Sequence, residues 1–133
     1  MRFKAACIVS QIEDGIALLG FADDEFDTTQ YVTLQRELSR LPQEEIELGF
    51  DKLHIEVNSQ GHGDYGDVAG ALLLKNQLVL RLSPETAEKI GVDDVITIDF
   101  EVSMDRVKEI RGMLVMLVGS EVVEIDDDIR PAT

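Results

Sequence analysis

The sequence predicts an α+β fold, in which a mostly antiparallel sheet carries one or two helices packed on one face. Three observations support this prediction. The chain has 133 residues, of which 44% are hydrophobic, so it has the size of one domain with a single core. Apolar residues alternate with polar ones in several short segments, as in half-buried strands. Two helix-start signals follow in the last third of the chain.

The first third predicts a hairpin and a further strand. Residues 3–12 and 16–21 are rich in β-branched and aromatic side chains, and the Asp14-Gly15 pair between them is typical of tight turns. Residues 22–30 contain four acids and no base, and a strand is expected to begin at Tyr31. Beyond it, Pro42 and the following residues 43–48 are predicted to form a connecting loop that contains a turn or a short helix, because proline fits the first helical position.

The middle of the chain predicts a meander of strands. Residues 53–57 alternate strictly between apolar and polar side chains, and residues 68–74 and 77–82 predict two more strands around Lys75-Asn76. The intervening residues 59–67 contain three glycines. They are predicted to form a loop with positive φ angles and close backbone approach.

The last third predicts two helices with a strand between them. Ser83-Pro84-Glu85 combines an N-cap, a first-turn proline and an acid at the positive end of the helix dipole, and Gly91 is expected to end this helix. Residues 95–100 predict a strand, and Ser103 is expected to begin the second helix. The apolar face of that helix consists of Val107, Ile110, Leu114 and Leu117.

The amino-acid composition near the C-terminus predicts where the domain ends. Residues 121–133 are acidic and include Asp126-Asp127-Asp128 and Pro131, which is typical of a frayed tail. Residues 1–120 are therefore predicted to form a single domain, and residues 121–133 an acidic C-terminal tail.

Charge and cysteine content exclude several functional classes. There are 27 Asp and Glu against 12 Lys and Arg, and the formal charge is -15. Such a chain repels phosphate backbones and anionic lipids, which argues against nucleic-acid and membrane partners. The lone Cys7 cannot form an internal disulfide, and its apolar neighbours predict a buried thiol. With no export signal and no apolar span of roughly 20 residues, a cytoplasmic location is expected.

The glycine-rich segment Gly61–Gly66 has the G-x-G-x-x-G spacing of dinucleotide-binding loops. Its context does not suit nucleotide binding, because a strand-like run follows it and Asp64 would repel phosphates. A small enzyme or ligand-binding protein that uses this segment remains an alternative, with His62, Asp64 and Tyr65 as its active-site residues. No complete catalytic motif is present, so no catalytic residues and no cofactor are predicted.

The acids Asp23, Glu25 and Asp27 stand at alternate positions, as the first ligands of an EF-hand do. The same count places Thr28 where the loop needs glycine and Leu34 where it needs a bidentate Glu, so no calcium site is predicted. Soft ligands are confined to His54, His62 and Cys7 on separate elements, so no transition-metal site is predicted either.

Clustering of the acids is more informative than their number. They concentrate in residues 23–27, 44–47 and 126–128. Concentrated negative charge attracts a basic partner, such as the substrate cleft of an enzyme that acts on nucleic acid. An even distribution for solubility is the simpler alternative.

Several short motifs, taken in order, resemble the immunity protein 10 family of bacterial polymorphic toxin systems. They are Leu18-Leu19-Gly20-Phe21-Ala22-Asp23-Asp24, Tyr31-Val32-Thr33-Leu34-Gln35-Arg36, Ile46-Glu47-Leu48-Gly49, His54-Ile55-Glu56-Val57 and Asp64-Tyr65-Gly66. The strand and helices that follow are also similar, so the resemblance extends over roughly residues 9–117.

This resemblance implies a small cytoplasmic protein that binds and neutralises a cognate toxin domain, with no catalysis and no cofactor. The candidate contact residues are Asp23, Asp24, Glu25, Asp27 and Tyr65. The acids would steer the partner, and the tyrosine would supply a rigid amphipathic anchor, unless its ring only packs over the sheet. A self-associating scaffold, using an exposed edge strand or the last helix, is a further alternative, and a homo-oligomer stays open.

Overall fold

The computed structural model describes residues 1–39, 42–47 and 52–126. Its strands are β1 (Arg2–Lys4), β2 (Cys7–Glu13), β3 (Ile16–Ala22), β4 (Tyr31–Glu37), β5 (Leu53–Val57), β6 (Ser59–Gly66), β7 (Val68–Leu74), β8 (Gln77–Leu82), β9 (Val95–Asp99) and β10 (Val123–Ile125). Its helices are α1 (Gln43–Glu47), α2 (Pro84–Ile90) and α3 (Met104–Val118), and a 3₁₀ turn covers Ser120–Val122.

The predicted α+β class is confirmed, and the strands divide between two sheets. The meander sheet has the order β2-β3-β4-β5-β6 and is antiparallel throughout. The mixed sheet has the order β1-β9-β8-β7-β10, in which β7, β8 and β9 are antiparallel and both edge strands are parallel to their neighbours. The sequence suggested one sheet because half-buried strands have the same periodicity whichever sheet they join.

The first hairpin is confirmed. Asp14 (φ 52°) and Gly15 (φ 77°) are both left-handed, as a two-residue turn between twisted strands requires. The strand predicted over residues 3–12 was too long, because it contains β1 and β2, which belong to different sheets. β1 pairs with β9, where Arg2 lies opposite Thr97, and β2 pairs with β3.

The core is formed by alternate residues of both sheets and one face of α3. The inward side chains of β3, β4 and β5 are Ala17, Leu19, Phe21, Val32, Leu34, Leu53, Ile55 and Val57, all buried. The rings of Phe21 and Phe100 lie 6.3 Å apart and connect the meander sheet to the end of β9. Burial of a phenylalanine side chain contributes roughly 1.5–3 kcal/mol, so this pair is a substantial part of the core.

Both predicted helix starts are confirmed. The Ser83 hydroxyl accepts a hydrogen bond from the Thr86 N–H, and the Ser103 hydroxyl accepts one from the Arg106 N–H. Gly91 ends α2 in the left-handed conformation (φ 82°). The predicted apolar face of α3 is buried and packs mainly over β3. In the connecting segment after Pro42, where a turn or a short helix was expected, the structure has the short helix α1 over Gln43–Glu47, and residue 48 lies outside the described residues.

The loop predicted over residues 59–67 was wrong, because residues 59–66 form the edge strand β6. The chain turns instead at Asn58, which is left-handed (φ 64°). Gly66 is needed for close packing, since a Cβ on it would lie 2.4 Å from the Thr86 Cγ2 of α2. Gly66 therefore allows α2 to pack closely against β6, and it does not form a turn.

The frayed tail predicted from residue 121 was also wrong for residues 121–126. Val123 pairs with Ala71 as β10 adds a parallel edge to β7. Val123 and Ile125 pack against the core, and these apolar residues were obscured by the surrounding acids. The remaining tail, residues 127–133, lies outside the described residues.

Substitution of two glycines in β6 tests the correction to the predicted loop. Gly66→Ala is expected to lower the free energy of unfolding by about 1–3 kcal/mol, because the new methyl group forces α2 away from the strand. Gly61→Ala is the matched control, since its Cβ would meet only the Ser59 hydroxyl at 3.8 Å. Urea unfolding measures both variants, and equal effects would contradict the packing role of Gly66.

Candidate functional site

The outer face of the meander sheet is the candidate functional surface. We define it as the side chains of β2 to β6 that alternate with the core residues. They are Cys7, Val9, Gln11, Glu13, Ile16, Leu18, Gly20, Ala22, Tyr31, Thr33, Gln35, Glu37, His54, Glu56, Gly63 and Tyr65. All of them except Gly20 are exposed or half-buried, so this face remains accessible in the described structure.

The outer face is negatively charged. It carries Glu13, Glu37 and Glu56, and its positions on the described strands include no lysine or arginine. Lys52 lies at the border, where it lines a small pocket with His54. Burying one sign of charge against a neutral partner is unfavourable, so this face suits a positively charged partner.

The acidic loop, residues 23–30, joins β3 to β4 at one end of the outer face. The Asp23 carboxylate accepts hydrogen bonds from the Thr29 N–H (2.9 Å) and from the Thr29 hydroxyl. The Asp24 carboxylate accepts the N–H groups of Phe26 and Asp27, both at 2.9 Å. These two acids therefore determine the shape of the loop as well as contributing charge.

Hydrogen bonds lower the pKa values of Asp23 and Asp24. The Thr29 hydroxyl, followed by the Gln30 N–H, lowers the pKa of Asp23. The N–H groups of Asp27 and Phe26 lower the pKa of Asp24. Both carboxylates accordingly stay charged at pH values where ordinary aspartates begin to accept protons.

The other two predicted acids face solvent. Glu25 and Asp27 are exposed, and between them the ring of Phe26 is 91% exposed. The loop thus presents an apolar ring flanked by two carboxylates, a feature that the sequence reasoning missed. An aromatic residue in an otherwise polar, acidic stretch was the signal that could have revealed it.

Tyr31 and Glu56 form a fixed pair on the outer face. The Tyr31 hydroxyl donates to the Glu56 carboxylate, and this bond, with burial, raises the pKa of Tyr31 to about 12. The Tyr31 N–H also donates to the Asn58 side-chain oxygen at 2.9 Å. The phenol is therefore held in one position, and Glu56 supplies the negative charge beside it.

An apolar groove lies on the outer face between the acidic loop and strands β2, β3 and β4. Its volume is about 360 Å³, and its lining includes Cys7, Val9, Leu18, Gly20, Ala22, Thr28, Tyr31 and Thr33. Cys7 was predicted to be buried, but it is half-buried in this groove because its side chain points outward from β2. No sequence motif indicated the groove, since its residues come from three strands and a loop.

Tyr65 lies on the same face as the acidic loop but toward the other end. The register places Tyr65 opposite His54 and His54 opposite Gln35, five positions along the chain from the end of the loop. The rings of Tyr65 and His54 meet edge to face, with centroids 5.2 Å apart. The structure therefore brings the four predicted acids together and leaves the predicted tyrosine apart from them.

Two residues of the enzyme alternative, His62 and Asp64, face α2, whereas the third, Tyr65, lies on the outer face. His62 Nδ1 lies 3.0 Å from the Ile90 carbonyl, and Asp64 forms an ion pair with Lys89 at 3.6 Å. These contacts hold β6 against the helix. Across the described parts of the chain, no group of three or more His, Cys, Asp or Glu is placed to hold a metal, and no helix is long and apolar enough to span a membrane.

The geometry defines a small α+β protein with an accessible, acidic sheet surface. A scan of protein families matches residues 3–108 to the family described as Immunity protein 10. The chain belongs to this family, which confirms the resemblance found in the sequence and assigns the chain an immunity function. A search of curated proteins finds no match. The matched region includes the whole outer face and the acidic loop.

Thr29→Val tests the origin of the charge on the loop. The variant keeps the Thr29 N–H but loses the hydroxyl that donates to Asp23, so the pKa of Asp23 is expected to rise toward its ordinary value. Because the pKa is lowered in the folded chain, the stabilisation is present above the unfolded pKa and is lost as pH falls through the folded one.

Carbon-13 NMR titration of the side-chain carboxylates measures this change. Asp99 is the internal control, because the pKa of this residue is lowered by Arg2 and Gln77 and not by Thr29. An unchanged Asp23 midpoint in the variant would show that the backbone N–H groups alone determine it.

Proposed function

We propose that the chain is an immunity protein that binds a cognate bacterial toxin domain and neutralises it by covering a basic site with the acidic outer face. The supporting observation is the charge of that face, which carries three glutamates and no lysine or arginine on its described strands and adjoins the acidic loop. Concentrated negative potential speeds association with a positive surface and fixes its orientation.

The residues of the loop have different roles in this proposal. Glu25 and Asp27, whose side chains are exposed, supply long-range attraction and contact basic side chains of the toxin. Asp23 and Asp24 add charge and hold the loop in its binding conformation. Because the loop is ordered before binding, less conformational entropy is lost on association.

A basic toxin surface suggests a toxin that acts on nucleic acid, since such enzymes carry positive substrate clefts. An acidic protein seated on that cleft blocks the substrate physically. This mechanism requires a stoichiometric complex and no catalytic group on the immunity protein. The expected location is the cytoplasm, where the toxin would act.

Contacts at both edges of the meander sheet disfavour self-association through those two edges. At one edge of the meander sheet, Arg106 donates to the Ile8 carbonyl at 2.7 Å and to the Ser10 hydroxyl at 2.9 Å. At the other edge, Lys89 donates to the Tyr65 carbonyl at 2.9 Å. Edge strands whose carbonyls are occupied by charged side chains are poor templates for pairing with a second copy.

Neutralising the two solvent-facing acids tests the electrostatic role of the loop. Glu25→Gln combined with Asp27→Asn is expected to slow association with the toxin domain several-fold at low salt. The difference should disappear near 1 M salt, where the Debye length is about 3 Å. Stopped-flow or surface plasmon resonance measurements across a salt series give the rates.

Asp94→Asn combined with Glu124→Gln is the matched control for this experiment. Both acids are exposed and lie next to or within strands of the mixed sheet, and their replacement removes the same number of charges. If the two double variants slow association equally, net charge rather than the outer face controls binding, and the proposed interface is wrong.

Tyr65 is tested separately. Tyr65→Ala is expected to weaken toxin binding about tenfold, because a large rigid ring is lost from the contact area. Tyr65→Phe should retain most of the affinity, since it preserves the ring against His54. Isothermal titration calorimetry gives the affinities and thermal unfolding the stabilities. A loss of stability with unchanged affinity would assign Tyr65 to packing alone.

Immunity itself is tested by co-expression. Cells that express the cognate toxin domain should grow only when the chain is also present, and the purified proteins should form a one-to-one complex. Growth arrest despite abundant folded chain would contradict the proposed function.

A further inference from the structure

Gly20 has no evident structural reason to be glycine. It lies in the interior of β3 with an extended backbone, and its φ is not positive. A Cβ at this position would meet only Thr33 Cγ2, at an ordinary contact distance of 3.5 Å. Glycine inside a strand is usually destabilising, and it often marks a place where another molecule approaches closely.

Two other glycines show the contrast. Gly66 is required because an added Cβ would lie 2.4 Å from Thr86, and Gly15 is required because its φ is 77°. Gly20 instead forms the floor of the apolar groove, where any side chain would reduce the available volume. The missing side chain of Gly20 therefore leaves volume in the groove and does not stabilise the strand.

We propose that this groove receives one apolar side chain of the toxin, carried on a segment rich in lysine or arginine. The inference rests on the proposed function, because the partner is the same toxin domain and the groove belongs to the same face. Its volume of about 360 Å³ is ample for an aromatic or branched aliphatic side chain, since a cavity of about 150 Å³ already accommodates benzene.

The charge around the groove determines what must flank that side chain. Glu56 accepts a hydrogen bond from Tyr31, which lines the groove, and the loop that contributes Thr28 to the lining also carries Asp23 and Asp24. An apolar residue with no basic neighbours would desolvate these carboxylates without compensation. Lysine or arginine on either side of it would pair with them at the rim.

The groove is also organised before the partner arrives. Tyr31 forms one wall and is fixed by Glu56 and Asn58, and β2, β3 and β4 supply the rest from a hydrogen-bonded sheet. A preformed apolar pocket in the middle of an interface, ringed by charge, is where most binding energy is usually found.

Other occupants fit less well. A second copy of this chain would bring its own acidic rim against this one, at a formal charge of -15 for each copy. A small ligand needs a few converging polar groups to fix its orientation, whereas this groove is lined mainly by apolar side chains.

Filling the groove tests the inference. Gly20→Val is expected to raise the Kd for the cognate toxin domain by about tenfold or more, with Gly20→Ala in between. The thermal unfolding midpoint should stay unchanged or rise, because valine favours strands and its Cβ has room. The salt dependence of binding should be retained, since no charge is altered.

Gly112→Ala is the matched control for these variants. Gly112 is exposed on α3, and an added Cβ meets nothing within 4 Å, so the toxin affinity should be unchanged. A loss of affinity in this control equal to that of Gly20→Ala would overturn the inference, because the effect would not be specific to the groove.

The wild-type chain offers an independent measurement. Cys7 lines the groove and is the only cysteine in the sequence. Its reaction with N-ethylmaleimide is expected to slow several-fold when the toxin domain is bound. This readout holds even if Gly20→Val fails to fold, and an unchanged rate in the complex would overturn the inference.

The outcomes distinguish the two proposals. If Gly20→Val is folded and binds the toxin domain as the wild type does, while the Glu25 and Asp27 double variant binds more slowly, the groove is empty in the complex and the proposed function stands. If the wild-type chain does not bind the toxin domain at all, both proposals fall.

Discussion

The contact between Phe21 and Phe100 connects the two sheets, and the remaining architecture depends on it. It commits one face of the meander sheet to the core and, because side chains alternate along a strand, leaves the other face outward. α3 reinforces this arrangement by packing its buried face over β3. The outward side chains therefore do not contribute to the core. A binding partner can determine which residues occur at these positions.

Local signals predicted the elements that are stabilised locally. The hairpin at Asp14-Gly15, the helix start at Ser83 and the alternation of residues 53–57 all depend on neighbouring residues, and all are confirmed. The division into two sheets depends on pairing between distant residues, such as Phe3 with Ile98, which periodicity cannot reveal. The errors at residues 59–66 and 121–126 have the same cause, since α2 and β7 determine those conformations.

As with the fold, only part of the candidate site could be predicted from the sequence. Composition located the acids of the loop, but it treated them as equivalent. Only the hydrogen bonds separate Asp23 and Asp24, which shape the loop, from Glu25 and Asp27, which face solvent. The groove was not predictable, because strand order brings its residues together from separate parts of the sequence.

The basic residues of the mixed sheet give the molecule an uneven charge distribution. Its outward positions include Arg2, Lys4 and Arg81 against Asp99 and Glu124, whereas the outer face of the meander sheet has only acids among its charged groups. Two of these basic residues are paired with acids, Arg2 with Asp99 and Lys4 with Glu101, so this side of the mixed sheet carries little uncompensated charge. Of the two faces, the outer face of the meander sheet attracts a positively charged molecule more strongly, and this difference favours one orientation on approach.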